Sequence, residues 1–178
     1  MIFGLFGKKA GNRVIVERQY AELTAAARQQ HLYEALGVPD TVMGRFEMIT
    51  AMLILYFRRT RSSGRSGQEI AQEIIDAFFE DMDHSIRELG VGDVSVPKRM
   101  KKFAGMFYGR LESYARAMDA GDLPALAEAL ARNMHPEASG DAPDMTGLAS
   151  YLMQVEAAFT ASPEADVELG RVVAPPAA

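Results

Sequence analysis

The 178-residue sequence contains neither cysteine nor tryptophan, and it has only three histidines. Without cysteine, disulfide bonds, thiolate metal sites and a cysteine nucleophile are excluded. The longest apolar run, Met48 to Phe57, is about half of the ~20 residues that a bilayer-crossing helix needs. No segment shows the convincing alternation of apolar and polar residues that marks a half-buried strand.

Signatures of enzymes are missing as well. Asp81 and His84 supply half of the carboxylate–histidine pattern of a metal site in a helix bundle, but no second half follows. The glycines at 90 and 92 lack the further glycine and the flanking strand of a nucleotide-binding loop, so a turn that ends a helix explains them. No serine lies in a Gly-x-Ser-x-Gly motif. We therefore predict a non-enzymatic protein with no catalytic residues, no metal and no cofactor.

Apolar residues recur at helical spacing through most of the chain, which predicts an all-α fold. We expect a single compact, bundle-like domain of about six helices. The predicted helices are 12–28, 41–59, 68–89, 96–118, 123–134 and 145–161, with a short helical turn at 31–36. We further predict a mobile leader at 1–11, a helical domain at 12–161 and a disordered, acidic and proline-containing tail at 162–178.

Charge is distributed unevenly along a chain whose net charge is −5. Residues 1–65 hold ten Lys/Arg against five Asp/Glu, whereas residues 119–178 hold two against ten. A basic front half suits an anionic membrane surface, and the first residues combine apolar and cationic side chains. The predicted membrane contacts are Phe3, Leu5, Phe6, Lys8 and Lys9. The alternative is a loose terminus that makes no such contact.

Four cations occupy the first two turns of the predicted helix 96–118, and we call them the basic cluster. The basic cluster consists of Lys98, Arg99, Lys101 and Lys102. Cations at a helix N-terminus oppose the helix dipole at a cost of about 0.3–1 kcal/mol each. Two interpretations stay open: the cluster serves recognition, or the preceding acids Glu80, Asp81 and Asp83 neutralise it.

Gly105 and Gly109 lie on one face of the same predicted helix, since residues four apart are neighbours on a helix surface. Glycine lowers helix stability, so two on one face indicate the close approach of another helix. We favour a helix of the same chain over a helix of a partner. Tyr108 and Arg110 adjoin this face and are predicted to contact that helix.

Two motifs give the sequence a family resemblance. They are PDTVMGRFE at 39–47 and DMDHSIRELGVGDVSVPKRMKK at 81–102. Over about residues 12–135 the sequence resembles the ubiquinol–cytochrome c chaperone family, whose members help to assemble complex III. The resemblance implies a helical assembly factor that binds newly made cytochrome b, together with a small partner factor near the ribosome and the inner membrane. The leader lacks a transit-peptide composition, which indicates a bacterial relative at the cytoplasmic face of the inner membrane.

From the residues and the resemblance together we predict the functional surface. The predicted client or partner contacts are Lys98, Arg99, Lys101, Lys102, Tyr108 and Arg110. The residues predicted to support the turn before them are Arg45, Asp83, Arg87, Gly90, Gly92 and Asp93. The alternative function is a helical adaptor that binds protein or RNA through residues 98–102, and no DNA partner is expected.

Overall fold

The computed structural model describes residues 3–138 and 140–177, and it describes side chains from Asn12 onward within these ranges. These ranges contain eight α-helices and no β-strand, which confirms the all-α prediction. The helices are α1 (Phe3–Ala27), α2 (Gln30–Glu34), α3 (Val42–Thr60), α4 (Arg65–Glu88), α5 (Val96–Asp119), α6 (Leu123–Met134), α7 (Thr146–Ala161) and α8 (Glu164–Glu168).

The central helix of the bundle is α3. Except for Ile49, every residue from Phe46 to Tyr56 is buried. The helix packs against α1, α4, α5, α6 and α7, which is why a sequence that is apolar on all sides is stable here. Gly44 allows α3 to begin close to the preceding loop, because a Cβ at this position would stand 1.9 Å from the carbonyl oxygen of Pro39.

A seven-residue turn (89–95) joins α4 to α5. Gly90 ends α4 in the left-handed region, with φ at +78°, and its N–H donates to the carbonyl oxygen of Arg87 over 2.9 Å. This confirms the prediction that a glycine turn separates the two helices. Phe78 of α4 and Phe107 of α5 lie with ring centroids 6.2 Å apart and pack the two helices together.

The first helix is longer than predicted, because α1 begins at Phe3 and not at Asn12. Residues 3–11, which were predicted to form a mobile leader, are helical and continuous with the predicted helix. The predicted membrane contacts lie outside the residues whose side chains the structure describes. Those contacts are Phe3, Leu5, Phe6, Lys8 and Lys9.

The structure corrects the prediction of a disordered tail, because residues 162–177 pack on the bundle. Val167 and Val172 of this segment are buried. The side-chain amide of Gln19, itself buried on α1, donates to the carbonyl oxygen of Val172 over 2.8 Å and accepts from its N–H over 2.9 Å. The composition of the segment predicted disorder, because composition carries no information about specific contacts. The burial of Val167 and Val172 and the hydrogen bonds of Val172 are such contacts.

Candidate partner-binding surface

The basic cluster is fully exposed on α5. All four of its side chains point to solvent, and in the described part of the chain no carboxylate lies within 4.0 Å of any of them. Asp83, one of the three acids in the neutralisation interpretation, is bound by Arg87. The geometry therefore favours recognition over neutralisation as the interpretation of the cluster.

Arg87 holds the α4–α5 turn together through two carboxylates. Its Nε lies 2.6 Å from Oδ2 of Asp83, and its Nη1 donates to Oδ1 of Asp93 on the other side of the turn. The hydrogen bond from Arg87 holds the pKa of Asp83 below its usual range. These contacts agree with the predicted bracing by three of the supporting residues. Arg45 does not take part, since it pairs with Asp40 over 2.8 Å.

Gly105 and Gly109 face open space. Both are exposed, and a Cβ at either position would meet no atom within 4 Å. The expected close approach of a helix of the same chain is therefore absent from the described residues. Lys98, Lys102, Gly105 and Gly109 follow one another at steps of four, three and four, so they form one continuous strip along α5, which we call the α5 strip.

A groove of about 600 Å³ opens beside the α5 strip, between α3, α4 and α5. Tyr108 stands at its edge and is 60% exposed. The apolar lining residues are Phe57, Ile75, Phe107, Leu111 and Ala115. Besides Tyr108, the polar lining residues are Arg58, Thr60, Arg61, Gln68, Gln72 and Glu112. An apolar groove with a polar border is the usual form of a site for an apolar segment of another molecule.

Arg110 was predicted to contact a client or partner, but its side chain is engaged inside the protein. Its Nη2 and Nε lie 2.6 and 2.8 Å from the two carboxylate oxygens of Glu47, and its Nη1 donates to the carbonyl oxygen of Met106. The side chains of Arg110 and Glu47 are only 14% and 2% exposed. Burial raises the pKa of Glu47, while the hydrogen bond and charge of Arg110 act in the opposite direction. Arg110 thus joins α5 to α3 inside the protein.

Asp81 and His84, the half of a metal pattern seen in the sequence, both line one groove beside α4. Among the described residues, no three His, Cys, Asp or Glu side chains are placed to hold a metal ion together. Nε2 of His135 lies 2.8 Å from the carbonyl oxygen of Gly37, which gives this histidine a structural contact. None of the helices in the described ranges combines the length and hydropathy needed to cross a membrane.

The groove could not be found from the sequence, because its lining combines residues 57–61, 68–75 and 107–115, which come together only when α3, α4 and α5 pack against one another. The only local signal was Tyr108, a large side chain on the polar face of an amphipathic helix. The shared helix face of Gly105 and Gly109 was predicted, but its exposure depends on which faces of α5 the other helices cover.

Comparison with known proteins identifies the class of protein that carries this fold and surface. A family model described as ubiquinol–cytochrome C chaperone matches residues 34–174. The crystal structure of the Cbp3 homolog from Brucella abortus superposes with a TM-score of 0.89 at 42% identity, and the similarity covers 99% of this chain and 98% of that one. A Xenopus laevis protein named ubiquinol-cytochrome-c reductase complex assembly factor 1 is 23% identical over 140 residues, which cover 79% of this chain and 70% of the relative.

The chain belongs to the ubiquinol–cytochrome c chaperone family. This confirms the resemblance, and the family match extends to residue 174, well beyond the region of about 12–135 that carried it. Because members of the family are chaperones and assembly factors, the protein is non-enzymatic, as the sequence predicted.

Proposed function

We propose that this protein binds newly made cytochrome b and supports the assembly of ubiquinol–cytochrome c reductase at the cytoplasmic face of a bacterial inner membrane. Family membership supports the general role of a chaperone in assembly. The name of the Xenopus laevis relative, an assembly factor of that reductase, supports the choice of complex. Cytochrome b as the client and the inner membrane as the location are what the proposal adds to these two matches.

The uncovered groove beside the α5 strip is the observation that carries this proposal. A membrane-protein client presents apolar helices before they find their final partners, and a chaperone must cover them for a limited time. Gly105 and Gly109 allow the backbone of such a helix to come close to α5. The groove then accepts large apolar side chains of the client next to Tyr108.

The basic cluster adds a second element to the proposed surface. Exposed charges at the border of an interface increase the rate of encounter and select the partner more than they increase affinity. Lys98, Arg99, Lys101 and Lys102 lie at the N-terminal end of α5, and the groove lies farther along the same helix. Asp83, Arg87 and Asp93 keep the turn before the cluster in a defined shape.

Site-specific photo-crosslinking in cells tests the proposal. A photo-reactive amino acid replaces Tyr108 at the edge of the groove, and a control variant carries it at Val173, which is also exposed. We expect a crosslinked product with cytochrome b from position 108 and none from position 173. Absence of this product at 108, in a variant that is folded and expressed, would contradict the assignment of the client.

Affinity purification of the unmodified chain in mild detergent identifies the remaining partners. Assembly intermediates of the reductase are expected to copurify, and a small partner factor or the ribosome should appear in the same fraction if they take part. If RNA copurifies without cytochrome b, and its binding depends steeply on salt, the RNA-binding adaptor replaces the present proposal.

A further inference from the structure

The two most exposed large apolar side chains of the described residues lie within the α4–α5 turn. Leu89 is 70% exposed and Val94 is 96% exposed. Ile86 and Val96, on either side of them, are buried, so the contacts that hold this turn to the bundle are already made. The turn is thus a projecting corner whose two apolar side chains have no neighbours to cover them.

More exposed apolar residues lie at the same end of the bundle. Val42 and Met43, at the start of α3, are both exposed. Val42 lines one groove together with Ser85 and Glu88 from the end of α4, which places it next to the turn. Single exposed apolar residues are normal on a soluble protein, but a group at one projecting end indicates an interaction site.

Charge at this corner opposes the charge of the whole chain. Residues 87–102 carry five Lys/Arg and two Asp/Glu, in a chain whose net charge is −5. Of the two acids, Asp93 is bound by Arg87, while Glu88 is exposed. Arg87 is paired with Asp83 and Asp93, so the positive charge of the corner is that of the basic cluster. The corner therefore presents apolar side chains directly beside a cationic surface.

We propose that this corner, formed by Leu89, Val94 and the basic cluster, docks on an anionic lipid surface. The cations bind the headgroup phosphates, and the two apolar side chains enter the boundary between headgroups and acyl chains. A nucleic acid would satisfy the charges and leave Leu89 and Val94 in water. An anionic bilayer satisfies both properties, because it offers negative charge and an apolar phase behind it. The identity of the membrane is taken from the proposed function. What the inference adds is that this corner holds the protein at that membrane, beside its client.

The absence of tryptophan from the chain allows a direct test. The variant Val94→Trp places a single tryptophan at the corner, and Val173→Trp places a single tryptophan at an exposed position of the C-terminal segment. With vesicles of phosphatidylglycerol and phosphatidylcholine, we expect a blue shift of the emission at position 94 and none at position 173. Vesicles of phosphatidylcholine alone should produce a much smaller shift.

Flotation with the same vesicles measures the contribution of charge. The double variant Lys101→Ser, Lys102→Ser should bind the anionic vesicles roughly 30-fold more weakly, because each cation near such a surface raises the affinity about fivefold. The control Arg65→Ser, Arg116→Ser removes the same charge from exposed positions elsewhere and should bind almost as the unmodified chain does.

Three results would overturn the inference. The first is an emission at position 94 that does not shift, or shifts no more than that at position 173. The second is a loss of vesicle binding in the variant Phe3→Ser, Phe6→Ser, together with an emission at position 94 that does not shift when Phe3 and Phe6 are intact. The third is binding of RNA or polyglutamate without binding of vesicles. These measurements use purified protein without a client. Lipid docking can therefore be refuted while the crosslink from position 108 to cytochrome b is obtained, and lipid docking can be observed while that crosslink is absent.

Discussion

The buried ion pair between Arg110 and Glu47 gives the largest predicted effect on stability. In the variant Arg110→Ala, the carboxylate of Glu47 remains in a site where its side chain is 2% exposed, and it loses both of its hydrogen bonds from the guanidinium. Removing one partner of a buried pair costs about 3–5 kcal/mol, because the other charge is left uncompensated. We expect the free energy of unfolding at neutral pH, measured with urea and circular dichroism, to fall by this amount. The thermal midpoint should fall by about 6–20 °C.

The same variant should show a characteristic dependence on pH. Burial already raises the pKa of Glu47 above its ordinary value of 4.5, and Arg110 opposes this rise. Removing Arg110 therefore raises the folded-state pKa further. A carboxyl group with a raised folded-state pKa stabilises the fold below its unfolded-state pKa, and this stability is lost as the pH rises through the folded-state value. The difference between variant and unmodified protein should thus shrink as the pH is lowered toward 4.5, where the proton neutralises the isolated carboxylate.

Two controls make the reasoning on the ion pair refutable. Arg116→Ala, on the same helix, breaks an exposed pair with Glu112 and should change the free energy of unfolding by no more than about 0.5 kcal/mol. The double variant Glu47→Leu, Arg110→Met removes both charges and should recover most of the lost stability. A loss of stability in Arg110→Ala that is no larger than in Arg116→Ala, or that stays constant between neutral and acidic pH, would contradict the role assigned to the ion pair.

Three further predictions concern the α5 strip, the basic cluster and the C-terminal segment. Gly109→Ala should raise the free energy of unfolding by about 0.5–1 kcal/mol, because the added methyl group meets open space and alanine favours helix; a decrease in a urea titration would contradict this. Replacing Lys101 and Lys102 together by glutamate should lower the cellular level of assembled ubiquinol–cytochrome c reductase and leave the thermal midpoint nearly unchanged, since both side chains are exposed; a normal level of the reductase would refute their role. Gln19→Ala removes both hydrogen bonds of Val172 and should cost about 2 kcal/mol, with faster proteolysis of residues 162–177; unchanged proteolysis would show that these bonds do not hold the segment.

The helices from α3 to α7 could be predicted because local signals agree with their surroundings. The amphipathic pattern of α5 and the glycine that ends α4 act within a few residues, so their meaning does not depend on distant parts of the chain. For α3, a sequence without a polar face has only one stable solution in water, which is burial among other helices.

The C-terminal segment and Arg110 could not be predicted, because their partners are far away in the sequence. Gln19 meets Val172 across 153 positions, and Arg110 meets Glu47 across 63 positions. In the sequence Gln19 is one polar residue on an amphipathic helix, and Arg110 resembles the exposed cations before it. The tertiary fold alone decides which polar side chain is buried.

The candidate surface was predicted in part. The exposed basic cluster and the bracing of the turn by Arg87 follow from local charge and spacing. The openness of Gly105 and Gly109 does not, because a small residue at a helix contact and a small residue on a free face look the same in a sequence. The groove beside Tyr108 exists only once three helices are assembled.

The two hydrogen bonds between Gln19 and Val172 also determine an order of events during synthesis. The first helix leaves the ribosome early, yet the backbone groups that complete its buried contacts belong to a residue made 153 positions later. At a translation rate of about 5–20 residues per second, α1 waits roughly 8–30 s for this partner. Throughout that time the buried amide of Gln19 lacks both of its hydrogen bonds, although α3 and α4, against which α1 packs, have already been made. The last residues of the chain therefore complete a bundle whose central helices precede them.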